Sequence, residues 1–146
     1  MLFNGSLDTI LYPMTADLYY AEEEQTQYGN MIKRWRFDRT VNCSAITAAA
    51  GDLNGELRVK DRSITYTSDI FFRTNEDIQI SSDDESYRVT DILITNIKDS
   101  NGNFVWKEDR DNATVFEIRA IEPMLDISSN VMGYRIHCVR TENQDL

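Results

Sequence analysis

The side chains that most often carry out chemistry are few in this chain. There is one histidine, His137, and there are two cysteines, Cys43 and Cys138. His137 lies in the stretch YRIHCVR, where strand alternation puts it on the face opposite Cys138, with no nucleophile close in sequence. The motifs of nucleophile elbows, phosphate-binding loops, zinc proteases and dinucleotide sites are absent from the sequence. We therefore predict no catalytic residue and no enzymatic activity.

The sequence also predicts no metal ion and no other cofactor. One histidine and two cysteines cannot fill a four-ligand zinc site. Both cysteines lie in apolar, strand-like stretches, which favours buried free thiols, and a disulfide or a reactive thiol is the alternative. The acids Asp83, Asp84 and Glu85 lack the spacing of a calcium-binding EF-hand loop. Their stretch, SSDDES, is more typical of a solvated turn.

Charge is the strongest signal in the composition, and it is unevenly distributed. The formal net charge is -10, and a surface of that sign repels duplex DNA and anionic membranes. Residues 76–85 contain five acids and no base. A basic cluster lies in KRWRFDR and consists of Lys33, Arg34, Arg36 and Arg39. Segments of opposite charge can meet between neighbouring subunits, and an ordinary mixed surface is the alternative.

The elements that must position these residues are strands. From Met31, the stretch MIKRWRFDRTVNC alternates apolar and polar residues, as a half-buried antiparallel strand does. About six to eight such stretches, without an amphipathic helix of about ten residues, favour a mainly β fold, a small antiparallel β-barrel or sandwich. We expect the following residues in the core: Trp35, Phe37, Ile64, Tyr66, Ile70, Phe72, Val89 and Ile118.

The length of 146 residues fits a single domain over residues 1–146. Residues 1–30 are predicted to form a long projecting N-terminal arm that ends in a hairpin turn at Tyr28-Gly29-Asn30. Residues 46–57, ITAAAGDLNGEL, contain three alanines and two glycines and are predicted to form a flexible loop. No apolar run is long enough to span a membrane, and the first residues lack the pattern of a secretory signal. We therefore expect the protein to stay in the compartment where it is made.

One stretch resembles a known family. SITYTSDIFFRTNEDIQISSDDESYRVTDILITN is similar to the central region of the head-closure proteins of tailed bacteriophages, also called stoppers or head–tail connector proteins. The shared scheme is a strand, a D-x-I step at Asp77 to Ile80, a turn, and Y-x-V-x-D-I from Tyr87 to Ile92. The resemblance covers residues 60–98 well and the remainder in outline. Many members have glycine before the aspartate of the D-x-I step, where this chain has Glu76.

The resemblance implies a structural subunit of the virion neck that is assembled in the host cytoplasm. Members of the family form a ring, a hexamer or a dodecamer, below the portal and adaptor proteins. The ring closes the DNA-filled head and offers a platform to the tail terminator or tail tube protein. Genomic DNA passes through the lumen without sequence-specific binding, and no membrane takes part.

The resemblance and the charge distribution together suggest which residues take part in assembly. We expect the basic cluster to help form an interface with another subunit or partner. In the family a mobile loop narrows the channel. Residues 46–57 are therefore the gate candidate, and the acidic turn at residues 81–85 is the competing candidate. The corresponding lumen-facing or gate residues are Ala48, Ala49, Ala50, Gly51, Asp52, Asp83, Asp84 and Glu85.

Three other functions stay open at this point. A tail terminator or tail-completion protein has a similar barrel and belongs to the same class of phage proteins. A β-barrel that binds a small ligand requires a deep apolar pocket in place of a packed core. An enzyme requires a nucleophile, a base and a group that orients the base, and the sequence does not bring such residues together.

Overall fold

The fold is known from a computed structural model that describes residues 11–48, 56–59, 64–108 and 112–141, with the backbone alone for 56–59 and 64–67. The described residues form eight strands: β1 (Met14–Gln25), β2 (Met31–Thr47), β3 (Glu56–Val59), β4 (Ile64–Thr67), β5 (Ile70–Thr74), β6 (Ile92–Lys98), β7 (Phe116–Leu125) and β8 (Val131–Arg140). One turn of 3₁₀ helix, Val89–Asp91, precedes β6. No helix in these ranges has the length and apolar character needed to cross a bilayer.

Six of the strands close into an antiparallel barrel in the order β1-β2-β5-β8-β7-β6. This confirms the predicted fold class, a mainly β protein with a small antiparallel barrel. Strands β3 and β4 pair with each other in a separate two-stranded sheet between β2 and β5 in the sequence. Closure leaves the six strands without a continuous free edge, which is how barrels avoid uncontrolled strand pairing.

Two long hairpins, β1–β2 and β7–β8, supply four of the six barrel strands. The first turns at the predicted Tyr28-Gly29-Asn30, where Gly29 has a φ of 84° that suits glycine. In the second turn Asp126 accepts hydrogen bonds from the backbone N–H groups of Ser128 and Asn130, both at 2.9 Å. Residues 14–25 of the predicted N-terminal arm form β1 of the barrel, and residues 1–10 lie outside the described residues.

The barrel interior is a packed apolar core. Three of the predicted core residues, Ile70, Phe72 and Ile118, are at most 5% exposed, and Val89 is half-buried against the core. The side chains of Ile64 and Tyr66 lie outside the described residues. Further residues of the core cluster are Ala16, Leu18, Tyr20, Val41, Ala45, Ile78, Ile92, Ile94, Ile97, Phe116 and Ile136.

The two cysteines are free and buried in this core, as predicted. Burial raises the pKa of the Cys43 thiol to about 12. Burial also raises the pKa of the Cys138 thiol, and the nearby Cys43 adds to the effect. Because the thiolate is the reactive form, both side chains behave as small apolar core residues.

The prediction that Trp35 and Phe37 lie in the core is wrong. The pairing of β1 with β2 slips between Leu18 opposite Arg39 and Tyr19 opposite Phe37, and Asp38 is the extra residue. Such a β-bulge moves the following side chains to the other face of the sheet, because the side-chain period of a strand is two. Phe37 is consequently 49% exposed on the outer face, and Trp35 is half-buried there.

Two phenylalanines on neighbouring strands test this assignment. Phe72→Ala empties a fully buried site and should lower the free energy of unfolding by about 3–5 kcal/mol. Phe37→Ala removes a half-exposed ring whose aromatic partner among the described residues is Tyr19. It should lower the free energy of unfolding by about 1 kcal/mol or less. Urea unfolding of both variants measures the difference. Equal losses would contradict the outward placement of Phe37.

Candidate functional site: a charged network beside an aromatic face

The basic segment 33–39 and the acidic segment 76–85 lie next to each other in the same chain. The guanidinium of Arg36 is 3.8 Å from the carboxylate of Asp83, and that of Arg39 is 3.5 Å from Glu76. The sequence suggested that these opposite charges meet between subunits. The structure shows that they already meet within one subunit.

Asp38, the extra residue of the bulge, holds the acidic segment in place. Its side chain is 2% exposed and accepts hydrogen bonds from the Ser82 hydroxyl at 2.7 Å and the Ser82 backbone N–H at 3.2 Å. Arg39 donates a third bond at 2.7 Å. Burial by itself raises the pKa of Asp38, but the bonds from Ser82 and Arg39 outweigh it and hold the pKa below its usual value.

Residues 81–85 are a tied turn. The backbone N–H of Ser81 donates to the carbonyl of Glu85 at 2.8 Å, and the Ser81 hydroxyl accepts from the N–H groups of Asp83 and Glu85, both at 3.2 Å. Asp84 takes a positive φ of 62°, which aspartate tolerates better than most residues. Asp83, Asp84 and Glu85 are all exposed. The turn therefore presents three carboxylates from a fixed backbone, and no group of metal-binding side chains occurs in the described ranges.

The same network brings the two halves of the family-like motif together on Tyr20. The buried Tyr20 hydroxyl donates to the carbonyl of Ile78 at 2.5 Å and accepts from Arg39 at 3.3 Å. The ring centroids of Tyr87 and Tyr20 lie 4.5 Å apart. The D-x-I step and the Y-x-V-x-D-I stretch thus both contact one core tyrosine.

Each of the four bases predicted to form an interface has a partner within the chain. Lys33 contacts Asp91 at 2.9 Å, and Arg39 is held by Asp38. Across the β1–β2 hairpin, Arg34 lies 2.5 Å from Glu24 and Arg36 lies 2.7 Å from Glu22. The pairs of Arg34 and Arg36 are exposed, and exposed pairs are weak, so these two bases keep most of their capacity to bind a partner, whereas Arg39 is held by the buried carboxylate of Asp38.

The gate candidates of the segment 46–57 lie only partly in the described residues. Both ends of the predicted loop are strand. Residues 46–47 end β2 and pair with β5, and residues 56–57 begin β3 and pair with β4. Ala48 is 7% exposed, and its N–H donates to the carbonyl of Asp69 at 2.9 Å. Ala49, Ala50, Gly51 and Asp52 lie outside the described residues.

The structure assembles one constellation that the sequence did not reveal. Ser68 Oγ is 3.1 Å from His137 Nδ1, and His137 Nε2 is 2.8 Å from Glu122 Oε1. A carboxylate only accepts hydrogen bonds, so Nε2–H donates to Glu122, and in the neutral imidazole Nδ1 then accepts the Ser68 hydroxyl proton. This is the order of nucleophile, base and carboxylate used in acyl transfer. The residues come from three places in the sequence, and only strand pairing of β5, β7 and β8 brings them together.

The burial of this constellation points to a structural role. Ser68 is 5% exposed and His137 is 4% exposed, which leaves almost no surface for a substrate to reach the hydroxyl. The imidazole packs perpendicular to the ring of Phe71, with ring centroids 5.1 Å apart. The arrangement satisfies two buried polar side chains and ties the start of β5 to β7 and β8.

An aromatic face on the outside of the barrel is the second feature that the sequence missed. The bulge turns Trp35 and Phe37 outward, and Phe37 meets Tyr19 edge-on with ring centroids 5.6 Å apart. Beside them is an open pocket of about 280 Å³, to which Trp35 contributes a wall. Its other lining residues are Thr90, Leu93, Glu117, Ile118, Arg119 and Thr141. Uninterrupted alternation along β2 would place Trp35 and Phe37 in the core, so this outer face was not predicted.

No protein-family model, curated protein or solved structure matches this chain.

The docking of the acidic turn can be tested at Asp38. Asp38→Asn should lower the free energy of unfolding by about 1.5–3 kcal/mol at pH 7, because the buried negative charge is lost and the new amide NH2 group faces hydrogen-bond donors from Ser82 or Arg39. The pKa of Asp38 is lower in the folded than in the unfolded chain, so the stabilisation is complete above about pH 4 and disappears as the pH falls through the folded value. Urea unfolding at pH 7 and pH 3 should show the difference between wild type and variant shrinking in acid.

The matched control for this experiment is Asp83→Asn. Asp83 is 63% exposed and 3.8 Å from Arg36, so its loss should cost less than about 0.5 kcal/mol. If Asp83→Asn destabilises the protein as much as Asp38→Asn, the assignment of Asp38 as the docking residue is wrong.

Two measurements decide the role of Ser68 and His137: unfolding of Ser68→Ala, and chemical labelling of the native protein and of His137→Ala. Ser68→Ala leaves a buried ring nitrogen without its partner, so we expect a loss of about 1–3 kcal/mol in unfolding free energy. A fluorophosphonate, which reacts with activated serines, should leave the native protein unlabelled. Labelling at Ser68 that disappears in His137→Ala would overturn the structural role and establish an acyl-transfer site.

Proposed function

We propose that this chain is a structural, non-enzymatic subunit of the neck of a tailed-phage virion. It forms a ring between the portal or adaptor protein and the tail, closes the DNA-filled head and offers the tail its platform. The observation that carries the proposal is the family-like scheme of residues 60–98, whose two halves pack together on Tyr20 in the barrel wall.

The charge of the chain supports a role beside DNA. A conduit wall works best when it does not attract phosphate, since phosphate contacts are the main source of affinity for DNA. The formal net charge is -10, and the tied turn at residues 81–85 displays three exposed carboxylates. A turn held by Asp38 and Ser81 suits a fixed repulsive surface better than a moving gate. The proposal that residues 46–57 form the gate stays a prediction.

The packed interior argues for this proposal over a small-ligand barrel. A ligand-binding barrel needs a hollow interior, as larger barrels provide. Here Leu18, Tyr20, Phe72 and Ile136 are fully buried and occupy the interior of the barrel. A tail terminator would have the same kind of surface, so the position of the protein in the particle decides between these two roles.

Charge reversal of the hairpin tests whether the basic cluster contacts another subunit. Arg34→Glu with Arg36→Glu should impair incorporation of the protein into necks, measured by immunoblot and electron microscopy of purified particles. Part of this effect has an internal cause, because the new glutamates face Glu22 and Glu24 across the hairpin.

A fourfold variant separates the internal from the external cause. Adding Glu22→Arg and Glu24→Arg restores both cross-strand pairs with their signs exchanged; the contact of position 36 with Asp83 is not restored, and urea unfolding measures what its loss costs. Continued failure to incorporate identifies the basic side chains as partner contacts. Normal rings at the head–tail junction in the double variant would eliminate that contact, and absence of the wild-type protein from necks would eliminate the proposed function itself.

A further inference from the structure

Two arginines face each other on the outer wall of the barrel. Arg73 of β5 and Arg135 of β8 are direct cross-strand partners. The residues next to them, Phe72 and Ile136, are fully buried in the core, so alternation turns both arginines outward. Side chains paired in this way have Cβ atoms about 4.5–5.5 Å apart, and like charges at that position destabilise a sheet. The pair is therefore unfavourable unless negative charge balances it.

The nearest carboxylate on the neighbouring strand is engaged elsewhere. Glu122 of β7 lies opposite Arg135 on the other side of β8. Its Oε1 is bonded to Nε2 of His137 at 2.8 Å. Neither arginine forms an ion pair with any residue that the structure describes. Two arginines and one carboxylate leave a formal charge of +1 on this row, which one further negative charge would balance.

The guanidinium of Arg135 is held in place without the use of its hydrogen-bond donors. Its Cζ lies 4.1 Å from the ring centroid of Phe71, a cation–π contact. Its Nε has no hydrogen-bond partner, and it is the one buried side-chain nitrogen or oxygen in the described ranges of which this is true. A buried charged donor without an acceptor is unfavourable, and an anion that accepts from it removes the penalty.

We propose that the pair of Arg73 and Arg135 binds an oxyanion, which is a carboxylate or a phosphate group. One edge of a guanidinium offers two parallel N–H donors, and their spacing matches two oxygens of either group. Ser44, opposite Arg73 on β2, adds a hydroxyl at the end of the same row.

The anion approaches from the outer face of the barrel, where Arg73 is exposed and Arg135 is half-buried. Because the Phe71 ring alone holds the long side chain of Arg135, a small change in its torsions turns the Nε edge toward the anion. The site uses the barrel wall and is independent of the neck role.

Proton–nitrogen correlation spectra of arginine side chains test the site directly. The Nε–H signal of Arg135 in the full-length protein should shift and saturate during titration with sodium phosphate, at an ionic strength held constant with sodium chloride. Arg73→Gln and Arg135→Gln should each weaken phosphate binding at least about tenfold, the effect expected from losing a charge-assisted hydrogen bond. In each variant the signal of the remaining arginine reports the affinity.

Arg88→Gln is the matched control. Arg88 is 85% exposed, outside the row and 3.7 Å from Asp91, so its loss removes the same charge and should leave phosphate affinity unchanged. Circular dichroism and urea unfolding verify that Arg135→Gln is folded. Arg73→Gln changes an exposed side chain and keeps the test valid if Arg135→Gln is unfolded.

A second titration, with sodium acetate, distinguishes the two kinds of oxyanion. Tighter binding of phosphate identifies a phosphate-bearing ligand, and tighter binding of acetate identifies a carboxylate such as an acidic side chain of a protein partner. Either result supports the site. An Nε–H signal of Arg135 that responds to neither anion at ~20 mM overturns the proposal. Equal weakening of phosphate binding by Arg88→Gln and Arg73→Gln also overturns it, because the anion would then respond only to total charge.

Discussion

The rest of the structure depends on a single extra residue in β2. Asp38 has no counterpart on β1, and the pairing on its two sides differs by one residue. This bulge buries the Asp38 carboxylate where Ser82 can bind it, and it turns Trp35 and Phe37 outward. Without the bulge the aromatic rings would enter the barrel and the acidic turn would lose its anchor. The charged network and the aromatic face therefore have one geometric cause.

The barrel acts as a rigid base for surfaces that lie on its longest hairpins. Strand β6 pairs with β1 only as far as Tyr20, whereas β1 and β2 stay paired to Gln25 and Met31. The β7–β8 hairpin likewise continues beyond the pairing of β8 with β5, which ends at Tyr134. Apolar side chains on these extensions contribute little to the core. Their stability comes from the hairpin pairing and from capped turns, which leaves the side chains free to contact another molecule.

Alternation predicted the strands and the buried positions Ile70, Phe72 and Ile118, because these depend on local period alone. Alternation failed at Trp35 and Phe37, because a bulge in β2 reverses the faces of these residues. The position of that bulge depends on the pairing with β1, which the sequence of β2 alone does not contain. The one available signal was Arg39, a charged residue at the position where an unbroken inward pattern required an apolar one. The Ser68–His137–Glu122 constellation was equally inaccessible, since its members are 69 and 15 residues apart and meet only through strand register.

The balance of charges limits which kind of contact could hold two copies of this chain together. The basic cluster is satisfied within the chain, yet the sequence has 25 acids against 15 bases, so internal pairing cannot remove the excess of negative charge. Copies of such a chain repel one another over a Debye length of about 8 Å at physiological salt. A contact between copies has to overcome that repulsion through buried apolar surface at places that carry little net charge. The same excess of negative charge disfavours contact with DNA phosphate, as the proposed neck role requires.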